Sequence, residues 1–115
     1  MRQIALMIAV SLAVSKVCAS EWRVLTGDEV QAALEGRRLV YGDGAWQEFS
    51  ASGRTLYHAG QDSWGYWGVR DGKYCSSWPP SDLWACYTLE SDGQAVRFSG
   101  EGGDIATGRY ADPEG

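Results

Sequence analysis

Closely spaced turns are the feature that most limits what this chain can fold into. After Gly36, short segments rich in aromatic and β-branched residues alternate with glycine-containing turns. The segments with strand character are 38–41, 45–49, 54–59, 64–70, 73–78, 84–90, 94–98 and 104–110. Short strands joined mostly by tight hairpins form an antiparallel meander, here of seven or eight strands. We predict a mainly β fold in which the meander closes into a small barrel, because closure removes exposed sheet edges. A two-sheet sandwich of the same strands is the alternative.

The best-defined turn is Asp71-Gly72, a two-residue hairpin in which both positions can adopt positive φ. This turn pairs Arg70 with Lys73, and both charged residues should face water. Alternation along the strands then predicts which neighbours point inward and which point outward. The inward residues are Trp67, Val69 and Tyr74, and Cys75 lies on the outer face.

One short helix is predicted ahead of the strands. Thr26 and Glu29 have the spacing of a capping box, and Gly36 can end the helix in the left-handed conformation. We expect a helix over 27–35. Because two to three turns are too short to be stable alone, its apolar face must dock on the rest of the fold. That face carries Val30, Ala33 and Leu34.

Residues 1–19 have the pattern of a secretory signal peptide. A positive start is followed by an apolar run over 4–14 and by Val17-Cys18-Ala19, so we expect cleavage after Ala19. The alternatives are an uncleaved anchor, for which the run is shorter than the ~20 residues of a spanning helix, and a lipoprotein using Cys18. The prediction is a single barrel-like domain over 20–115 in a periplasmic or secreted protein.

Two cysteines remain after this cleavage, Cys75 and Cys86. In an exported chain such a pair most simply forms one disulfide. Their spacing matches neither a C-x-x-C redox motif nor a zinc site. We therefore predict a structural disulfide, no metal site and no cofactor.

The charge of the chain bears on its partners. The formal net charge is −5 at pH 7, and cleavage after residue 19 would remove Arg2 and Lys16 but no acid. An acidic chain without a basic cluster repels phosphate backbones, so we expect no nucleic-acid partner. The acidic residues are scattered, which is typical of a solvated surface.

The sequence contains little that indicates catalysis. His58 is the only histidine, and no G-x-S-x-G motif frames a serine. Asp43, Asp71 and Asp92 each precede a glycine, which is typical of turns. We predict no catalytic residue and a protein that is not an enzyme.

Tryptophan is the unusual residue, with six in the chain. We expect three or four of them to fill the barrel, since a small barrel needs large side chains inside. The others could form a contact surface. Trp78 and Trp84 bracket the proline-containing loop, while Trp64 and Tyr66 alternate with glycines on one strand. This possible binding surface would bind a small apolar ligand or a protein partner.

Several of these motifs together resemble a known group of proteins. They are the segments 67–75 (WGVRDGKYC), 84–87 (WACY) and 92–93 (DG). With the leader and the short helix, they resemble small exported proteobacterial proteins of families defined only as domains of unknown function. The resemblance implies a periplasmic compartment and a calycin-like barrel. The disulfide-bearing barrel also resembles periplasmic metalloprotease inhibitors, whose inhibitory segment is an N-terminal trunk where this chain carries a helix.

These observations predict a non-catalytic periplasmic or secreted binding module. The alternative is an inhibitor of an exported hydrolase, and an enzyme ranks last. A spacious interior would favour a small ligand, whereas a filled interior with exposed aromatic residues would favour contact with a protein.

Overall fold

A computed structural model describes residues 21–111, which contain nine strands and one helix. In chain order they are β1 (Arg23–Val24), α1 (Asp28–Leu34), β2 (Arg38–Tyr41), β3 (Trp46–Phe49), β4 (Arg54–His58), β5 (Asp62–Arg70), β6 (Lys73–Ser77), β7 (Ala85–Ser91), β8 (Ala95–Gly100) and β9 (Ile105–Tyr110). The predicted signal peptide, residues 1–19, lies outside the described residues.

Strands β2 to β9 form a closed barrel of eight antiparallel strands. Each strand pairs with the next along the chain, and β9 pairs back with β2 through Leu39↔Tyr110 and Tyr41↔Gly108. The predicted meander and its closure are confirmed, and the sandwich alternative is wrong. The sequence reasoning missed β1, a two-residue strand that pairs with the end of β7. It is too short to leave an alternating pattern.

The hairpin between β5 and β6 has the predicted register. Asp71 and Gly72 have φ values of 55° and 75°, and Val69 pairs with Tyr74. Trp67 and Tyr74 point into the barrel and are each 4% exposed. Val69 is partly buried against the same core.

Helix α1 closes one end of the barrel. Its Val30 and Leu34 side chains are fully buried, and the Tyr110 hydroxyl donates a 2.8 Å hydrogen bond to the Ala33 carbonyl. We call this the closed end; it also contains the turns 50–53, 71–72 and 92–94. The buried cluster that includes this end consists of Leu25, Val30, Leu34, Leu39, Phe49, Trp67, Tyr74, Leu89, Val96 and Phe98.

The predicted capping box forms only in part. The Thr26 amide donates to the Glu29 carboxylate at 3.2 Å, but the cap position is taken by Gly27, with φ 44° and no side-chain cap. Thr26 therefore lies one residue too early for its hydroxyl to cap the helix. A hydrogen bond from Arg23 is the main cause that lowers the pKa of Glu29. The predicted end of the helix is confirmed, since Gly36 has φ 73°.

The expectation that three or four tryptophans fill the core is wrong. Trp67 is the only tryptophan in the buried cluster of the described residues. Aliphatic side chains, Phe49 and the helix already fill the closed end. Four other indoles each lie beneath an arginine guanidinium in a cation–π contact. These pairs are Trp22–Arg97, Trp46–Arg38, Trp64–Arg54 and Trp84–Arg70.

The predicted disulfide between Cys75 and Cys86 is present. The two residues are direct cross-strand partners on β6 and β7, with Cα atoms 4.0 Å apart. Cys75 faces away from the barrel interior, as predicted, yet it is fully buried. The bond is compatible with an extracellular location. No helix among residues 21–111 is long and apolar enough to cross a membrane.

We expect the Cys75→Ala/Cys86→Ala double variant to lose about 3 kcal/mol of unfolding free energy. The physical reason is that the bond closes a loop with a sequence separation of 11, which restricts the unfolded chain. Urea unfolding measures the loss, and dithiothreitol should destabilise the native protein by a similar amount. An unchanged urea midpoint in both experiments would show that the bond does not stabilise the fold.

Candidate functional site

The end of the barrel opposite the helix contains a cavity of about 570 Å³. We call this end the mouth; it is surrounded by the loops 42–45, 59–61, 78–84 and 101–104. The cavity lies inside the sheet rather than on its outer wall, because inward residues of β2, β3, β4, β6, β7, β8 and β9 line it. These residues are Tyr41, Gln47, Tyr57, Tyr74, Ser76, Tyr87, Phe98 and Ala106, and Trp78 follows at the end of β6.

The aromatic walls follow from the period of two along each strand. Tyr74 and Ser76 alternate with Cys75 and Ser77, so their side chains point inward. The same alternation turns Gln47 inward on β3. The sequence therefore places aromatic and small side chains, together with Gln47, at inward positions near the mouth.

A network of buried polar side chains forms the floor of the cavity. The Tyr41 hydroxyl donates to the Gln47 carbonyl oxygen at 2.7 Å, and the Gln47 amide donates to Thr55 Oγ1 at 2.9 Å. Thr55 in turn donates to the Glu48 carbonyl at 2.7 Å, and the Gln47 amide lies 3.4 Å from the Tyr74 hydroxyl. Because each of these groups has a partner, the floor is fixed rather than free to rearrange.

Burial changes the acid–base behaviour of the floor. Desolvation is the main cause that raises the pKa of Tyr41, and the neighbouring Tyr74 and Tyr57 raise it further. Desolvation also raises the pKa of Tyr74. Both side chains are therefore neutral phenols at physiological pH.

Two inward glycines allow rings to pack closely against the wall. A Cβ atom on Gly65 would be 2.6 Å from Cε3 of Trp78, and one on Gly108 would be 3.1 Å from Cε1 of Tyr41. Neither contact leaves room for a side chain. The two glycines therefore fix where Trp78 and Tyr41 sit at the side of the cavity.

The rings of the cavity also hold one another in place. Tyr74 and Phe98 meet edge to face with centroids 5.0 Å apart, and Tyr87 meets the same Phe98 at 6.5 Å. Tyr57 meets Trp78 edge to face at 6.3 Å. These are favourable geometries for aromatic pairs, so the cavity is shaped before a ligand enters.

The predicted binding surface does not form one site. Trp78 lines the cavity, whereas Trp64 and Tyr66 lie on the outer wall of β5, where they are 51% and 46% exposed. Trp84 is 38% exposed beneath Arg70. Trp64 and Trp78 both line a second depression, beside Pro79.

Sequence reasoning missed the tyrosines and Gln47 as site residues. The available signal was that Tyr41, Tyr57 and Tyr87 occupy the alternate positions of their strands that face inward. This alternation distinguishes the two faces of a strand, but it does not indicate which end of the barrel the helix fills. The hollow end could therefore not be located from the pattern.

His58 lies outside the cavity. Its ring stacks on Trp46 with centroids 5.0 Å apart, and Nδ1 is 2.7 Å from Asp62 Oδ1. Trp46 and His58 are cross-strand partners, and both alternate with the inward Gln47 and Tyr57. Among residues 21–111, no three His, Cys, Asp or Glu side chains are grouped to hold a metal ion.

The chain matches no family model, no curated protein and no solved structure.

We expect stability to fall in alkaline solution because of the buried tyrosines. Their pKa is raised by folding, so their contribution is fully present below the unfolded value of about 10 and is lost as pH rises above it. Each such group costs up to about 1.4 kcal/mol per pH unit above pH 10. The pH dependence of urea unfolding between pH 9 and 12 measures this loss.

The variant Tyr41→Phe should flatten this alkaline decline, since it removes a group that must ionise on unfolding. The matched control is Tyr66→Phe on the exposed outer wall, which should leave the profile unchanged. Equal slopes for Tyr41→Phe and the native protein would contradict the assignment of Tyr41 to the floor.

Proposed function

We propose that this protein is a non-catalytic, exported binding module that holds a small organic molecule in the mouth of its barrel. The observation that carries the proposal is the aromatic cavity of about 570 Å³ in a barrel whose other end is packed. A periplasmic or secreted location is part of the proposal and is supported by the disulfide and by the leader pattern of residues 1–19.

The size of the cavity suits a small molecule. Ligand sites in proteins commonly have volumes of about 300–1,000 Å³ and combine apolar walls with a few polar groups. Here the rings of Tyr57, Tyr87 and Phe98 offer apolar contact area, while Ser76 and Gln47 add polar atoms. The arrangement suits a ligand with an apolar body and one or two polar groups.

The rigidity of the walls also supports binding. The floor network holds Tyr41 and Tyr74, and Gly65 fixes the position of Trp78. A ligand that enters such a cavity does not have to order these side chains, so less conformational entropy is lost on binding.

Binding rather than catalysis fits the position of the titratable groups. His58 lies on the outer wall, and the buried Tyr41 and Tyr74 are neutral hydrogen-bonding groups. Acid–base catalysis needs a group whose pKa lies near the working pH and within reach of the substrate. Because their pKa values are raised, the two tyrosines lie further from the working pH than an ordinary tyrosine does.

One further observation favours a second candidate, contact with a protein partner. Trp64 and Tyr66 are exposed side by side on β5, and the Arg54 guanidinium lies 4.7 Å from the Trp64 ring centroid. Aromatic and arginine side chains dominate the energetics of many protein interfaces. An inhibitor of an exported hydrolase would use a surface of this kind.

A cavity-filling variant separates the two candidates. The neutral fluorescent probe prodan should bind the native protein with a blue-shifted emission, and Ala106→Trp should weaken its binding at least about tenfold because the new ring occupies the mouth. Ala106 is suitable because it pairs with the inward Phe98 and lines the cavity. Fluorescence titration gives both dissociation constants.

The matched control is Trp64→Ala, which removes an aromatic ring from the outer wall and should leave prodan binding unchanged. Thermal unfolding verifies that both variants are folded. If Ala106→Trp has no effect while Trp64→Ala abolishes binding, the cavity is not the site and the outer wall is favoured.

A further inference from the structure

The charged residues in the loops around the mouth of the barrel are all acidic. The four loops around it contain Asp43, Asp82, Glu101 and Asp104, and they contain no lysine, arginine or histidine. Asp43 and Asp104 also line the cavity itself. A molecule that enters the barrel must therefore pass between carboxylates.

The basic residues of the described chain lie elsewhere. Their backbones are at or near the closed end, in strand segments or turns away from the mouth: Arg23, Arg37, Arg38, Arg54, Arg70, Lys73, Arg97 and Arg109. Three of their side chains extend along the outer wall, where Arg38, Arg54 and Arg70 each stack on an indole, at 4.0, 4.7 and 3.9 Å from the ring centroid. The cavity lining includes no basic residue.

Within residues 21–111, no basic side chain forms an ion pair with the cavity carboxylates. The ion pairs within residues 21–111 are Arg23–Glu29, Arg38–Glu48, His58–Asp62 and Arg97–Glu90. None of them includes Asp43 or Asp104. Asp43 Oδ1 accepts a hydrogen bond from the Ala45 amide at 3.0 Å, which fixes the carboxylate at the rim.

Below this rim, electron-rich aromatic rings line the walls. Tyrosine and tryptophan faces attract cations through their quadrupoles, and several rings around one space form the aromatic cage that binds quaternary ammonium groups. Tyr57, Tyr87 and Trp78 surround the upper cavity. The low-dielectric walls also concentrate the field of the rim carboxylates into the opening.

We propose that the ligand of the cavity is an organic cation, with an ammonium group attached to an apolar body. The inference rests on the proposed function, because it identifies the class of ligand for the same cavity. Two independent features support it. The aromatic lining accepts a poorly hydrated cation, and the carboxylates of Asp43 and Asp104, which form no ion pair within residues 21–111, attract positive charge. The same carboxylates would repel an anionic ligand.

The test is isothermal titration at low salt with a matched pair of probes. Choline and 3,3-dimethylbutan-1-ol have the same shape and differ only in the charge of the quaternary centre. We expect choline to bind at least about tenfold more tightly than the neutral alcohol. Benzenesulfonate, as an anionic aromatic probe, should bind more weakly than benzyltrimethylammonium.

Two double variants test whether the preference for choline arises from the rim carboxylates. The double variant Asp43→Asn/Asp104→Asn should weaken choline binding about tenfold and leave the neutral alcohol unchanged. The control Glu21→Gln/Asp28→Asn makes the same change in net charge at exposed positions at or near the closed end, and it should change choline binding less than about twofold.

The remaining outcomes distinguish a failure of the cationic-ligand inference from a failure of the binding cavity. If the neutral alcohol binds as tightly as choline, or if the rim variant and the control behave alike, the inference of a cationic ligand is wrong and the binding cavity stands. If benzenesulfonate binds best, the inference is likewise overturned. If no probe of any charge binds, including prodan, both the inference and the proposed function fail.

Discussion

The pairing of β9 with β2 is the constraint on which the rest of the molecule depends. It turns a meander of short hairpins into a barrel with an interior, and it places Gly108 directly beside Tyr41. Gly108 leaves the space in which Leu39 and Tyr41 pack. A larger side chain there would collide with both, so one small residue allows closure of the sheet and sets one wall of the cavity at the same time.

The two ends of the barrel are filled differently, and this difference produces the candidate site. The helix brings Val30 and Leu34 into one end, where aliphatic side chains and Phe49 complete the packing. At the other end inward tyrosines line a cavity instead of filling the space, and the Gln47 network forms the floor between the hollow half and the packed half. The one helix of residues 21–111 covers only one end, so the difference between the two ends follows from where this helix docks.

Most of the fold was predictable from local chemistry, because turns and pairing are local. The Asp71-Gly72 turn fixes the register that brings Cys75 opposite Cys86, and Gly36 ends the helix as expected. The site was less predictable. Trp84 and Trp78 look equivalent in sequence. In the structure Trp84 lies on the outside beneath Arg70, whereas Trp78 packs against Gly65 and lines the cavity. That difference depends on contacts with strands distant in the chain, which no local pattern encodes.

The distribution of the six tryptophans makes the central claim directly measurable. Trp67 lies in the packed core, Trp78 lines the cavity, and the remaining indoles reported above lie beneath arginines. Assigned indole N–H signals in a ¹⁵N–¹H spectrum should therefore respond separately when benzyltrimethylammonium is added. We expect a saturable shift of the Trp78 signal, with the Trp64, Trp67 and Trp84 signals nearly unmoved. Shifts concentrated at Trp64 and Trp84, with Trp78 unmoved, would contradict a ligand site inside the barrel.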